Sequence, residues 1–226
     1  CTAAGVDLVF APTPDVVYPE GDPGVRVSAG PLGDVLEGQS RPGHFDGMLT
    51  VVVKLLGIVH GDTVVFGQKD AQQVFLVRQA VRDLNLPVDV VAVPIVREPD
   101  GLARSSRNRY LSAAERGDAR VLSRALTAMA REAAEGGARP KAEGDAAGPG
   151  GSAAAVRRAG LDVFAGTPAA KLDYLAVVDP ATFTEVAADF RGEALAIVAA
   201  KVGTTRLIDN KTIVMGQARR LDRPLG

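Results

Sequence analysis

"DTVVFGQKDAQQVFLVRQAVRDLNLPVDVVAVPIV", residues 62–96, is the stretch on which the fold turns. Its two ends, "TVVFG" (63–67) and "VDVVAVPIV" (88–96), are short, rich in β-branched residues and apolar on both faces. That is the pattern of parallel strands covered by helices. Between them Val74, Val77, Val81 and Leu84 recur at helical spacing, and the pattern stops at the turn-like "NLP". Strand, helix and strand in this order form a βαβ unit, which implies a right-handed crossover and a doubly wound α/β sheet. Such sheets bind ligands beyond the carboxyl ends of their strands, and Gly67 to Asp70 stands at one of those ends.

Upstream, "VDLVFAP" (6–12) reads as a further strand and "MLTVVVKLLGIV" (48–59) as a buried helix. The second run is broken by Lys54 and is too short to cross a bilayer, which takes roughly 20 residues. The sequence starts "CTAAGVDLVFAPTPD", with no initiating methionine and a strand-like run almost at once, so an upstream segment is expected to be absent. Downstream, "SAAE" (112–115) is a capping box, and Leu122, Leu126, Met129 and Ala133 form one stripe of the helix that follows. "EGGARPKAEGDAAGPGGSAAA" (135–155) has the composition of a mobile connection between two helices. "LDYLAVVD", "ALAIVAAKV" and "TTRLIDN" then supply short strands for a small α+β domain with an antiparallel sheet.

Composition narrows the function classes. The 226 residues are 46% hydrophobic, ample for a folded core, and 26 Lys+Arg against 27 Asp+Glu leave a formal charge of −1. No global basic field exists to hold nucleic acid or an anionic membrane, so anion recognition must be local. The single cysteine, Cys1, cannot form an intrachain disulfide, no Cys/His cluster has zinc spacing, and a cytoplasmic location is expected. No metal site is expected from protein ligands.

Three stretches could carry chemistry. In "GQKD", Asp70 followed by Gln73 has capping-box spacing, which accounts for the aspartate as a stabiliser of the helix start. Lys69 opposes the helix dipole unless an anion sits between it and the free backbone N–H groups, which Gly67 would let approach closely. The alternatives are a phosphate or carboxylate site and an ordinary strand-to-helix loop. Neither a P-loop nor a G-x-G-x-x-G fingerprint is present. "LARSSRNRYLS" (102–112) sets Arg104, Arg107 and Arg109 around Ser105 and Ser106, donors suited to a polyphosphate or else a solvated basic loop; the neutral charge balance disfavours nucleic acid. Of the two histidines, His44 precedes the buried helix and His60 reads as a turn residue.

Taken in order, "RPGHFDG", "VVFGQKDAQQ", "VPIVREPDGLARSSRNRYLS" and "KVGTTRLIDN" resemble the motifs of the pantothenate synthetase family, from about "GVDLVFAP" to "LIDN". The resemblance implies a Rossmann-like nucleotidyltransferase sheet, incomplete at its N-terminus, in residues 1–97, and a smaller α+β lid domain in 98–226. It implies ATP contacts from Gly67, Gln68, Lys69, Asp70, the backbone of Val96, and Arg104, Ser105, Ser106 and Arg107. Gln73 matches the glutamine that holds pantoate, and Lys69, Ser106 and Arg107 are the candidates for catalysis. The implied reaction is ligation of pantoate to β-alanine through pantoyl adenylate, with ATP as substrate, Mg²⁺ carried on it, and a homodimer as the assembly.

Three departures from the family pattern stand out. Gln68 replaces the usual glutamate, Arg104 replaces the usual methionine, and the H-x-G-H signature is nowhere in the sequence. His44 and His60 lie in the wrong context to replace it. The expectation is that roughly the first third of the enzyme is missing and that this polypeptide alone does not complete the reaction. The opposing expectations are a non-catalytic, partner-binding remnant of the same fold and a nucleotidyltransferase acting on another acid.

Overall fold

The computed structural model describes residues 2–135 and 151–216. The elements are α1 Pro14–Val17, α2 Glu37–Ser40, α3 His44–Val59, β1 Thr63–Gly67, α4 Ala71–Asp83, β2 Asp89–Val93, α5 Ala113–Ala119, α6 Val121–Glu135, α7 Ala153–Ala165, β3 Ala170–Val178, β4 Gly192–Val202 and β5 Thr205–Met215. Backbone contacts group the chain into two compact units, Cys1–Val64 with Gln79–Asp89, and Val65–Arg78 with Val90–Gly226.

In the first unit α3 is the organising element. It starts after Gly43, whose φ of +72° suits a residue without a Cβ. Asp46 in its first turn accepts the Ala29 N–H at 2.7 Å, and the Thr50 hydroxyl accepts from Val27 N–H at 2.9 Å while donating to the Asp46 carbonyl. Polar residues on the helix thus pin the irregular chain beside it. Only Phe45, Met48, Leu49 and Thr50 of α3 are buried, so the expected buried helix is buried in its first turns, half-buried over 51–56 and exposed at 57–59. Residues 6–12 form no strand: they have no ladder partner among the described residues, and Leu8 stands 84% exposed. A short apolar run has only the potential for a strand, which a neighbouring backbone must realise. Phe10, Pro12, Tyr18, Val51, Leu55 and Val59 instead line an open groove of about 510 Å³.

The βαβ unit is formed where the sequence places it. Asp89 N–H bonds to the Asp62 carbonyl where the strands start and Gln68 N–H to Val93 where they end, so β1 and β2 run parallel. β2 ends at Val93 rather than Val96, because the chain beyond Pro94 turns into a separate hairpin. Val74 and Val77 of α4 are buried as expected, whereas Leu84 lies past the helix end and is exposed. That end is a Schellman motif: Leu86 N–H reaches the Val81 carbonyl, Asn85 N–H reaches Arg82, and Asn85 adopts φ +51°. Both strands alternate between exposed and half-buried residues, with Val65 58% exposed, so the expected cover on both faces is not present among the described residues.

The C-terminal lobe matches its reading closely. β3, β4 and β5 form an antiparallel sheet with β4 in the centre, and residues 194–200 of β4 are all buried. Leu122, Leu126, Met129 and Ala133 face this sheet as one stripe of α6, each at most 1% exposed. The Ser112–Glu115 capping box forms in both directions, but it opens the short α5 and not the long helix; the chain breaks at Arg120 before α6 begins. Gly160 of α7 permits close packing, since a Cβ there would sit 2.8 Å from Leu175 and 2.9 Å from the Met129 sulfur. A two-residue turn joins β4 to β5, with Gly203 at φ +57°. Most of the connection expected at 135–155 lies outside the described residues; α6 and α7 stand on either side of it.

Candidate active site

The site grows from the end of β1. Gln68 N–H is engaged by Val93 at 2.8 Å and Asp70 N–H closes a tight turn onto Gly67 at 3.3 Å, so the chain leaves the sheet and enters α4 within three residues. Asp70 supplies a main-chain carbonyl to Val74 N–H, but its carboxylate makes no side-chain capping bond, and Gln73 makes none in return. The capping box read from their spacing is therefore not formed, and the first-turn N–H groups of α4 have no cap from Asp70. Gly67 and Asp70 are exposed, while Gln68, Lys69 and Gln73 are half-buried. Two residues beyond Gln73, Phe75 packs its ring 5.3 Å from that of Phe183, a buried residue held at φ +56°. This contact braces the first half of α4 against the connection between β3 and β4.

A second support comes from β5. The Asn210 side-chain amide donates to the Gln68 carbonyl at 2.9 Å and to the Lys69 carbonyl at 3.0 Å. Its neighbour Asp209, with a side chain 1% exposed, is gripped by both terminal nitrogens of Arg97 at 2.7 and 2.9 Å. Arg97 also donates to the carbonyls of Gly101 and Asn210. A buried carboxylate is tolerated when a bidentate guanidinium satisfies it, and this one meets that condition.

The arginine-rich stretch is folded back beside Val96. Arg104 N–H bonds to the Val96 carbonyl at 2.8 Å, Glu98 N–H to Leu102 at 2.9 Å, and Arg97 bridges Ala103. Ser105 then caps a 3₁₀ turn over Ser106–Tyr110, its hydroxyl accepting from Arg107 N–H at 3.2 Å. Arg107 donates to the Arg206 carbonyl of β5 at 3.3 Å, and Arg206 is itself paired with Asp173 of β3. Arg104, Ser106 and Arg107 are exposed and available to a ligand.

Beneath this turn lies a network of charges. Asn108, buried, donates to Glu98 at 2.9 Å and to the Ala103 carbonyl at 3.1 Å. Arg116 of α5 reaches Glu98 and Asp100. The Asn108 hydrogen bond, followed by Arg116, holds the Glu98 carboxyl below the usual carboxylate range. Burial pushes Asp100 up, but the Leu102 N–H and Arg116 outweigh it and leave that group lowered too. The same pairs, Glu98 first, push Arg116 up. Charge-assisted bonds thus fix the base of the turn that presents the serines and arginines.

The structure accordingly gives both predicted motifs one footing. Gln68 and Lys69 rest on Asn210, and Arg107 rests on Arg206, four residues earlier on β5 and roughly 14 Å away along the strand. Neither histidine joins them: His44 begins α3 with the Arg41 guanidinium 2.8 Å from its Nε2, and His60 is the left-handed residue that ends the helix. Sequence reasoning passed over Arg97, Asp209, Asn210 and Arg116. A signal existed in "RLIDNKTIV", where four consecutive polar residues, Asp209 to Thr212, interrupt an apolar strand, and alternation must bury at least one of them with a partner. Among the described residues no group of three His, Cys, Asp or Glu is placed to hold a metal ion.

A parallel βαβ unit joined to an antiparallel α+β lobe defines a nucleotidyltransferase-like α/β protein. The family described as Pantoate-beta-alanine ligase matches residues 1–212, and the chain belongs to that family. Similar proteins include the pantothenate synthetase of Streptomyces avermitilis, 50% identical over 96% of this chain and 75% of the relative. That of Leifsonia xyli subsp. xyli is 54% identical over 92% and 67%. Among solved structures, pantothenate synthetase from Thermus thermophilus superposes with a TM-score of 0.82 at 46% identity, covering 93% of this chain and 71% of that one. The ligase from Francisella tularensis, complexed with Beta-gamma ATP and Beta-alanine, gives 0.63 at 29% identity over 93% and 66%.

Proposed function

We propose that this chain serves the ATP-dependent condensation of pantoate with β-alanine, a carbon–nitrogen ligation, through a pantoyl-adenylate intermediate. Membership of the ligase family supports the activity, and the Francisella complex with a nucleotide and β-alanine supports the substrates. The observation that carries the reading in this chain is the shared footing of the two anion-binding motifs on β5, through Asn210 and Arg206.

In the first step a pantoate carboxylate oxygen bonds to the α-phosphorus of ATP as the bond to the bridging oxygen breaks and pyrophosphate leaves. In the second the β-alanine nitrogen attacks the acyl carbon, AMP departs with the former carboxylate oxygen, and the nitrogen loses its extra proton. Neither step requires a covalent bond to the protein, so catalysis rests on positioning and on donors aimed at the developing phosphate charge. Lys69, Ser106 and Arg107 fill that role, with Gly67, Gln68, Asp70, Val96, Arg104 and Ser105 completing the nucleotide contacts. Gln73, half-buried in the first turn of α4, holds pantoate. Mg²⁺ enters with ATP. In this reading residues 1–97 bind ATP and pantoate and residues 98–226 act as the lid. The protein works as a cytoplasmic homodimer; among the described residues no helix is long and apolar enough to cross a membrane.

ATP binding to the chain, followed by equilibrium dialysis, is the first test, and saturable binding is expected. Turnover is then measured on the polypeptide extended through the reading frame 5′ of the Cys1 codon. Pantothenate and AMP should appear in equal amounts, and hydroxylamine in place of β-alanine should trap pantoyl hydroxamate. Release of ADP and phosphate, or no nucleotide binding in either polypeptide, would overturn the reading.

A further inference from the structure

Asn210 is buried, at 3% exposure, opposite Ile197 of β4, and it spends both hydrogens of its amide on main-chain oxygens 141 and 142 residues away. Those two oxygens belong to consecutive residues, Gln68 and Lys69. In extended chain they would point in opposite directions; here the turn into α4 brings them to one side, where a single NH₂ group can satisfy both. Facing two carbonyls, the amide is oriented with its nitrogen toward the turn, since an oxygen there would meet only acceptors.

What holds the amide is equally specific. The Asn210 N–H donates to Asp209 at 2.8 Å, the Asp209 carboxylate is clamped by Arg97, and Arg97 donates back to the Asn210 carbonyl. A chain of bonds therefore runs from Arg97, at the end of the nucleotide-binding part of the sequence, through β5 to the backbone that carries Lys69. We propose that Asn210 is a positioning residue: it fixes the peptide units of Gln68 and Lys69, and so aims the Lys69 ammonium and the first turn of α4 at a common anion. Its effect on ATP rests on the functional reading above, whereas its grip on the turn does not.

Two substitutions separate donation from packing. Asn210→Leu keeps the branched four-atom side-chain skeleton, with more bulk, and removes both donors; Asn210→Ser loses volume and keeps one. If the residue only fills space, serine is the more damaging change. If it positions the turn, leucine is. Hydrogen exchange of a peptide covering residues 67–73 is expected to accelerate at least tenfold in Asn210→Leu and by a smaller factor in Asn210→Ser, with peptides of β3 and β4 unchanged. The ATP dissociation constant should rise in the same order, by tenfold or more for leucine.

Exchange in 67–73 that is unchanged in the leucine variant, or faster in the serine variant than in the leucine one, overturns the proposal. Should Asn210→Leu fail to fold, Asn210→Ser decides alone, and wild-type exchange in that peptide sinks the idea. Absence of ATP binding in the unmodified protein would defeat the functional reading, and the order of exchange rates would still decide this one.

Discussion

The antiparallel lobe and the βαβ unit are built from similarly apolar strands, yet they are buried very differently. In the lobe β4 is covered along seven consecutive residues, and the α6 stripe is sealed against the sheet. In the βαβ unit β1 and β2 have no fully buried residue, and their carboxyl ends carry the candidate ligand groups. Burial is concentrated in the first region and the candidate Lys69 turn lies in the second, and the few bonds from β5 to that turn join the two. Ligand-binding segments are drawn from the less stable parts of a fold, because they must remain open to what they bind.

The contrast breaks most easily in the core. Leu126→Ala should cost about 2–5 kcal/mol in urea unfolding, since a sealed helix–sheet interface cannot collapse around the lost atoms. Val65→Ala, at a strand position 58% exposed, should cost no more than about 0.5 kcal/mol. Equal costs would mean that the two regions do not differ as described.

Lys69→Ala probes the opposite side of the comparison. In the extended polypeptide in which turnover is measured, loss of a preorganised donor should cost about 3 kcal/mol of transition-state stabilisation, near a hundredfold in rate. The thermal midpoint should move no more than for an ordinary surface change. A matching loss of stability would make Lys69 a structural residue.

A smaller effect separates two capping boxes that look alike in sequence. Ser112→Ala removes one that is formed and should cost about 1 kcal/mol by denaturant titration. Asp70→Ala, where no box closes, should cost clearly less, and a result in the reverse order would contradict the geometry at both helix starts.

The smallest expected effect is on pH dependence. Glu98 and Asp100 are held below their ordinary values, so the stability that they contribute is present above the usual carboxylate range and is lost as pH falls through their folded pKa values. Thermal melts between neutral and acidic pH should therefore show a shallower acid limb in Glu98→Gln than in the unmodified protein. An unchanged slope would mean that Glu98 is not held ionised by Asn108 and Arg116.

Much of this was legible in advance because it depends on local pattern. The βαβ order, the α6 stripe at Leu122, Leu126, Met129 and Ala133, the three C-terminal strands and the Ser112–Glu115 box are written in periodicity and spacing, which neighbouring residues enforce by themselves. The candidate ligand groups at Gly67–Asp70 and Arg104–Arg107 were legible as lysine and arginines beside glycine or serine, while the same sequence left each stretch open as an ordinary loop.

Periodicity could not say whether an apolar run finds a partner. Residues 6–12 have the apolar composition of a strand and form none among the described residues, and Asp70 with Gln73 has the spacing of a cap that does not close. Nor could it pair Asn210 with Gln68 and Lys69, or Arg97 with Asp209, across more than a hundred residues of chain. Local sequence sets what each segment can form and which groups it can offer. Only the tertiary structure decides which buried donor meets which acceptor, because the cost of leaving either unpaired depends on what else has been brought beside it.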